Sequence, residues 1–158
     1  MQYLDALISQ NPKKSDYLNL RGNILLEWKK PDEALAVFRR NLRHNPHQAT
    51  AYVNAGRALA ALDRFDQAEI LTKEGIGLEP DNLKTYIRLL DIYLKQGDHK
   101  SAGELSRFLI GSATANDIRL TADELAGEPF VTKEDVDHML NFIAMAIASE
   151  IPIARPRL

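Results

Sequence analysis

The sequence predicts an all-α protein built from a repeated helical unit. Three observations support this fold class: landmark residues recur every 34 positions, apolar residues follow helical spacing, and prolines separate the apolar segments at regular intervals. Glycine recurs at Gly22 and Gly56, and proline recurs at Pro12, Pro46 and Pro80. One helical pair cannot bury its apolar face alone, so a fixed period of this length indicates stacked pairs.

The composition is that of an ordinary globular protein. The 158 residues suffice for one domain, with 45% apolar and 27% charged residues. The net charge of −2 argues against a general attraction to nucleic acid or to anionic membranes. No cysteine is present, which excludes disulfides and thiol chemistry.

Targeting signals are not visible in the sequence. The first residues lack a basic start followed by an apolar run, so no signal peptide is predicted. The cytoplasm is therefore the favoured compartment, unless the chain is cut from a longer protein whose leader lies upstream. No apolar stretch approaches the roughly 20 residues that span a bilayer, and direct membrane insertion is not expected.

The first full unit begins with a helix that a second helix approaches closely. Leu18, Leu25 and Leu26 follow helical spacing, and Gly22 lies between them on the same face. A glycine inside a helix costs roughly 1 kcal/mol relative to alanine. We therefore expect Gly22 to be present because another helix packs against it.

The segment from Pro31 supplies that second helix. Proline is tolerated in the first turn, where Asp32 and Glu33 are favourable beside the positive end of the helix dipole. Asn45 and Pro46 end the helix, because a residue before proline is driven out of the helical conformation. The apolar side is predicted to consist of Ala34, Ala36, Val37, Phe38 and Leu42.

Two further copies of this pair follow, and one helix of a pair precedes it. Alanine recurs at Ala34, Ala68 and Ala102, whereas Leu90 stands at the third glycine position, so the third copy is looser. A helical bundle with accidental periodicity is the weaker alternative, because three kinds of landmark keep one register. The predicted segments within residues 1–111 are a half unit, 1–12, and full units, 15–46, 49–80 and 83–111.

A 34-residue helix–turn–helix with these landmarks resembles the tetratricopeptide repeat family. The resemblance covers residues 1 to about 111 and implies a right-handed superhelical solenoid of antiparallel helix pairs with C-terminal capping helices. It also implies a protein-interaction module, an adaptor that holds a peptide or protein segment in a concave groove. In this family the first helix of each pair lines the groove.

The groove partly resembles the two-carboxylate clamp of co-chaperone tetratricopeptide repeat domains, which grips acidic C-terminal tails. By register, Asn23 and Asn54 match the two asparagines of the clamp. Lys84 and Arg88 match the lysine and the arginine of its third unit. Asn19 stands where the clamp has its first lysine, so one cation is missing.

Arg57 is a candidate for the missing cation, since it lies on the next helix of the groove. Lys84 and Arg88 are four residues apart and share a helix face, and an arginine can hold a carboxylate through two hydrogen bonds. Asparagine at these registers is common across the family, so a groove that binds some other peptide segment is the broader expectation. A groove without a peptide ligand remains the third alternative.

The repeat stops after Gly111, and residues 112–158 are predicted to form C-terminal capping helices and an extended tail. A short helix is expected over Asn116–Ala126. Thr132 and Asp135 are spaced as a capping box at the start of a longer helix. The apolar stripe of that helix consists of Val136, Leu140, Ile143 and Ile147.

Phe142 and Met145 point away from this stripe on a helical wheel. A helix that is apolar on two sides is buried on two sides or meets a partner. Three arrangements are open: the helix caps the repeats, forms a homodimer contact, or lies in the groove. Capping is favoured, and the competing function is a homo-oligomeric scaffold of a larger assembly, for example secretion or pilus machinery.

The sequence contains no pattern typical of catalysis. The four histidines lie in turns or on the polar side of a helix, and no phosphate loop, nucleophile elbow or HExxH motif occurs. We therefore expect no enzyme activity, no catalytic residue, no cofactor and no metal site. The short basic runs are interleaved with acids, so nucleic acid is not an expected partner.

Overall fold

The computed structural model describes residues 1–112, 117, 118, 121, 124 and 131–150, with the side chains at 110 and 146–150 excepted. Within these ranges the chain forms helices and no strand, which confirms the all-α prediction. The helices are α1 (Gln2–Gln10), α2 (Ser15–Glu27), α3 (Pro31–His44), α4 (Ala49–Ala60), α5 (Phe65–Leu78), α6 (Leu83–Gln96), α7 (His99–Ser112) and α8 (Lys133–Glu150).

The helices keep the 34-residue step of the sequence. Consecutive helices pack against each other from α1 to α7, and α2 also contacts α4 directly. Helices α2, α4 and α6 are the first helices of three pairs, and α3, α5 and α7 are the second helices. The first helices begin at Ser15, Ala49 and Leu83, and the second helices begin at Pro31, Phe65 and His99.

The turn inside each pair contains one residue in the left-handed conformation. These residues are Lys29 at φ 58°, Asp63 at φ 56° and Gly97 at φ 76°, again 34 positions apart. Each turn bonds back in the same way: the N–H of Lys29 donates to Leu26 O at 2.9 Å, and the corresponding bond of Gly97 is 3.1 Å. The backbone of the turn therefore repeats although glycine is present in only one copy.

Close helix approach explains the two repeated glycines, as the sequence predicted. A Cβ built on Gly22 would overlap the ring of Phe38, and one on Gly56 would lie 2.7 Å from Thr72 Oγ1. In the third pair Leu90 is buried, and Ser106 stands in the register of Phe38. A small residue on the second helix thus accompanies the large residue on the first, which is why this copy departs from the glycine pattern.

The core is a row of apolar clusters between the helix pairs. The first joins α1 to α2 through Leu4, Ile8 and Leu18. The predicted apolar side of α3 is correct for Ala34 and Phe38, which are buried, and wrong for Ala36, which is exposed. Leu35 is buried as well, in the same cluster as Ala34 and Phe38. The middle cluster contains Leu25, Leu26, Ala34, Leu35, Phe38, Ala55, Ala58, Leu59, Ala68 and Ile92.

Helix α8 packs against α7 and α6 at the end of the row. Val136, Met139 and Ile143 are buried in one cluster with Leu109 and Ile118. Leu140 is half-buried, and the side chain of Ile147 lies outside the described residues. The stripe therefore covers the apolar side of the last pair, as expected for a capping helix.

The predicted capping box begins α8. Thr132 N–H donates to Asp135 Oδ2 at 2.8 Å, and Asp135 N–H donates to Thr132 Oγ1 at 3.1 Å. This reciprocal pair satisfies two N–H groups at the helix start. Of the short helix predicted over Asn116–Ala126, the described residues 117, 118, 121 and 124 are helical, and the others lie outside the described residues. The predicted tail, from residue 151, also lies outside the described residues.

No helix among the described residues combines the length and the apolar character that crossing a membrane requires.

Candidate functional site

The inner surfaces of α2, α4 and α6 enclose a groove with a volume of about 260 Å³. It brings together every residue that the sequence predicted as partner-binding. Glu79, Asn82 and Thr85 also line it and were missed, because they belong to the turn before α6 and to its first turn rather than to the helix register. The predicted residues in the groove are Asn19, Asn23, Asn54, Arg57, Lys84 and Arg88.

The residues of the first helices divide between the groove and the core. Thr50 and Val53 also line the groove. Leu26, Ile87 and Leu94 are buried in the core. Apolar residues at the edge of the register therefore belong to the packing between helices.

Arg57 lies between the asparagines of two successive units. Its Nη1 donates to Asn23 Oδ1 at 3.0 Å and to Asn54 Oδ1 at 3.0 Å. Both hydrogens of this nitrogen are thereby used, and the guanidinium is tied to α2 as well as to its own helix α4. A cation from the second unit thus occupies the middle of the groove.

Asn19, which stands where the resembled clamp has a lysine, is engaged inside the protein. Its Oδ1 accepts from Asn41 Nδ2 at 2.8 Å and from Asn54 Nδ2 at 3.1 Å. Its Nδ2 donates to Ser15 Oγ at 3.3 Å. Asn19 therefore connects groove residues to one another and to α3.

Asn41 supports this connection from the second helix of the first pair. It is 0% exposed, and its Nδ2 also donates to Ser15 Oγ at 2.9 Å. Its Oδ1 accepts from Asn45 Nδ2 at 2.8 Å, and the hydroxyl of Ser15 donates to Gln48 Oε1. Asn41 was not predicted from the sequence, where the available signal was an amide in the middle of an apolar helix face.

A second, smaller pocket of about 40 Å³ adjoins the groove toward α8. It shares Arg57 and Arg88 with the groove, so the two cavities are separated by these two side chains. Asp91 and Lys95 lie at its polar side. Its apolar lining consists of Ala60, Ala61, Ile92, Val131 and Met139.

An ion-pair network ties this second pocket to the capping helix. Lys95 Nζ lies 3.0 Å from Asp91 Oδ2 and 3.6 Å from Asp135 Oδ2. Burial raises the pKa of Asp91 above its ordinary value, although the charge of Lys95 opposes this. Burial also acts to raise the pKa of Asp135, but hydrogen bonds from Thr132 and the charge of Lys95 leave it lowered.

The two residues predicted as an oligomer contact differ in environment. Met145 is 71% exposed. Phe142 is half-buried and packs against the last apolar cluster, with its ring stacked on His99 at a centroid distance of 6.0 Å. Part of the second apolar side of α8 is thus covered within the chain, and Met145 remains at the surface.

Within the part of the chain that the structure describes, no three histidine, aspartate or glutamate residues are grouped so that they could hold a metal ion.

Known proteins match this chain in its repeat region. The family model described as "Tetratricopeptide repeat" matches residues 25–77. The "Protein STIP1 homolog" of Dictyostelium discoideum is 28% identical over 95 residues, which cover 60% of this chain and 17% of that protein. The chain thus spans less than a fifth of that relative's length.

Solved structures share the fold. The structure "Crystal structure of MamA" superposes with a TM-score of 0.66 at 16% identity, covering 92% of this chain and 85% of that one. The yeast "TPR2B-domain:pHsp70-complex" of Sti1 superposes with a TM-score of 0.60 at 18% identity, covering 83% of this chain and 96% of that one. "MamA 41-end" from Desulfovibrio magneticus RS-1 has a TM-score of 0.63 at 22% identity, with coverages of 68% and 61%.

Proposed function

We propose that this chain, which is built from tetratricopeptide repeats and is therefore a protein-interaction module, binds the acidic C-terminal segment of another protein in its groove. One observation carries this proposal: Arg57, Lys84 and Arg88 meet in a single groove together with asparagine side chains. Glu79 is the acidic side chain that lines the same groove. The balance of charge there favours a ligand with carboxylates.

Arg88, Lys84 and Asn23 have distinct parts in holding a carboxylate. Arg88 can form two parallel hydrogen bonds with one carboxylate, and Lys84 adds a compact charge one helical turn away. Asn23 uses its oxygen for Arg57, so its amide nitrogen is the group that it offers to a ligand carbonyl or carboxylate. A free C-terminus presents carboxylate and peptide groups close together, which suits this mixture of cations and amides.

Arg57 supplies the cation that Asn19 does not. It lies in the same groove and is bonded to Asn23 of the preceding unit, so its charge is delivered beside the first unit although it belongs to the second. In this proposal the groove has as many cations as the two-carboxylate clamp, but one of them is on α4 and not on α2.

The second pocket receives an apolar side chain of the same segment. Ala60 and Ala61 leave room beside Ile92, and the pocket meets the groove at Arg57 and Arg88. A residue that precedes the bound carboxylates can therefore place a small aliphatic group there. The yeast Sti1 domain that shares this fold is described in complex with pHsp70, which supports a segment of another protein as the ligand.

The test is a titration with two peptides that differ at one group. Acetyl-Gly-Gly-Val-Glu-Asp is used with a free C-terminal carboxylate and as its amide. We expect the free acid to bind at least about tenfold more tightly, since a buried charged hydrogen bond contributes about 1.5–3 kcal/mol. Equal affinities for the acid and the amide would remove the carboxylate from the proposal.

Two double variants locate the binding. Lys84→Ala/Arg88→Ala removes two groove cations four residues apart on α6, and Arg39→Ala/Arg43→Ala removes two exposed cations with the same spacing on α3. The first is expected to weaken binding of the free acid at least about tenfold and the second less than about twofold, since distant exposed charges are screened by salt. Equal losses would show a nonspecific charge effect.

A homo-oligomeric scaffold is the second candidate function. Met145 favours it, because this large apolar side chain is 71% exposed on the capping helix. Light scattering over a range of concentrations tests it with Met145→Asp. A concentration-dependent oligomer that dissociates in the variant would support the scaffold, and a monomer at every concentration would contradict it.

A further inference from the structure

A series of side-chain hydrogen bonds runs from the second helix of the first pair to the groove. Asn41 Nδ2 donates to Asn19 Oδ1 at 2.8 Å. The same oxygen accepts from Asn54 Nδ2 at 3.1 Å, and Asn54 Oδ1 accepts from Arg57 Nη1 at 3.0 Å. Four side chains from α3, α2 and α4 are thus joined in series, and we name them the amide relay.

Each member of the amide relay sets the orientation of the next. An asparagine has an oxygen that accepts and a nitrogen that donates. Because Asn19 presents its oxygen to Asn54, Asn54 must present its nitrogen to Asn19 and its oxygen to Arg57. If Asn19 were turned over, two nitrogens would face each other, and Asn54 would in turn offer a donor to the guanidinium.

Asn41 is the buried end of the amide relay, and its orientation fixes the orientation of the amides that follow. It is 0% exposed, its two amide hydrogens are bonded to Asn19 and Ser15, and its oxygen accepts from Asn45. A buried amide whose polar atoms are all bonded has a single favourable orientation, because turning it over would leave several groups unsatisfied.

The amide at this position is particular to the first unit. Gly75 stands 34 residues after Asn41, and Leu109 stands 34 residues after Gly75. Neither of these residues has a side chain that could donate to its neighbours. Packing of the helix pair therefore does not require asparagine here, and a polar role accounts for it.

We infer that Asn41 is a positioning residue for the groove: through Asn19 and Asn54 it holds the Arg57 guanidinium where a ligand carboxylate binds. This role deepens the proposed function and rests on it for the nature of the ligand. Asn19 and Asn54 then orient the groove, and their polar atoms are engaged in that task. The ligand is contacted by Asn23, Arg57, Lys84 and Arg88.

The test compares two substitutions of buried polar residues on second helices. Asn41→Leu introduces the side chain found at the equivalent position of the third unit. Ser106→Ala is the matched control, because the Ser106 hydroxyl is buried and donates to Ala102 O of its own helix at 2.8 Å. The readout is the NMR spectrum of the guanidinium groups in protein with isotope-labelled arginine.

In the wild type, the two bonds of Arg57 Nη1 are expected to slow rotation of its guanidinium and hydrogen exchange with water. Asn41→Leu is expected to remove the slowly exchanging Arg57 signal, and Ser106→Ala is expected to retain it. Affinity for acetyl-Gly-Gly-Val-Glu-Asp should fall about fivefold to tenfold in Asn41→Leu, the loss expected for one hydrogen bond. Ser106→Ala should bind the peptide as the wild type does.

An unchanged Arg57 signal in folded Asn41→Leu would overturn the inference. If this variant does not fold, Asn19→Ala interrupts the amide relay at a half-buried position, and there too a retained signal would overturn it. A wild-type protein that does not bind the peptide contradicts the proposed function alone. Loss of the Arg57 signal in Asn41→Leu supports the positioning role in that case as well.

Discussion

Arg57 Nη1 donates to Asn23 Oδ1 over 3.0 Å, and these two residues occupy the same position in successive units. The bond therefore connects α2 to α4, two helices that also contact each other directly. One side chain thus contributes both to the stacking of units and to the charge of the groove.

Replacing this arginine is expected to destabilise the protein. Arg57→Met keeps the apolar stem but removes the guanidinium that donates to Asn23 and Asn54. The half-buried Asn23 oxygen and the buried Asn54 oxygen then lose this donor. The expected loss is about 1–2 kcal/mol of unfolding free energy. Urea denaturation measures it, with Arg64→Met as the exposed control, and an equal loss in both variants would contradict the role of the bonds.

The left-handed turn residues predict a gain in stability. Lys29 adopts φ 58° with a side chain that disfavours this conformation, whereas Gly97 fills the same position of the third unit. Lys29→Gly is expected to stabilise the protein by about 0.5–1 kcal/mol, and Gly97→Ala to destabilise it by about 1 kcal/mol. Thermal unfolding of both variants measures these changes. A loss of stability in Lys29→Gly would contradict the claim that the left-handed conformation disfavours lysine there.

Close packing at the first glycine predicts a compensating pair of substitutions. Gly22→Ala drives a methyl group into the ring of Phe38 and should cost about 1–3 kcal/mol. Adding Phe38→Leu should recover part of this loss, because the smaller side chain leaves room. Gly77→Ala is the control: no atom beyond the adjoining helix backbone lies within 4 Å of the added Cβ, so helix propensity alone should make it neutral or stabilising. Additive effects of the two core substitutions would contradict the contact.

The pKa of Asp91 predicts how stability changes with pH. Because burial raises this pKa, the folded protein binds the proton more tightly than the unfolded chain does. The stability that protonated Asp91 provides is thus present at low pH and is lost as the pH rises through the raised pKa. Asp91→Asn should therefore be more stable than the wild type at about pH 8, and this advantage should disappear toward about pH 3.

Asp98 provides a control of opposite sign. The hydrogen bonds that it accepts from Ser101 lower its pKa, so its stabilising effect is present at neutral pH and is lost on acidification. Asp98→Asn should therefore be less stable than the wild type at neutral pH, and the difference should shrink as the pH falls. Urea denaturation at several pH values measures both variants. An Asp91→Asn advantage that grew on acidification would contradict the effect of burial.

The fold could be predicted from the sequence because each repeated landmark residue is required by backbone conformation or by close packing. Gly22 and Gly56 mark close helix approach, and Pro46 marks a helix end, so their spacing alone gives the period. The capping box at Thr132 and Asp135 was predictable for the same reason, since it depends on local spacing.

The groove residues were predictable by register, but their bonding was not. Asn19 and Asn54 were predicted as partner-binding residues; both line the groove, and both are also bonded to other side chains of the groove and its support. Such bonds depend on how two helices are rotated against each other, which a periodic pattern does not specify. Asn41 went unnoticed because it lies on the second helix, away from the predicted groove face.

Chemical-shift mapping with the free-carboxylate peptide tests the central claim most directly. Backbone and side-chain signals of the isotope-labelled protein are followed as acetyl-Gly-Gly-Val-Glu-Asp is added. We predict that the saturating shifts concentrate at Asn23, Arg57, Lys84 and Arg88, with little change on the outer surface of α3 around Arg39. Shifts confined to the outer helices, or no shifts in the groove at saturation, would contradict the account.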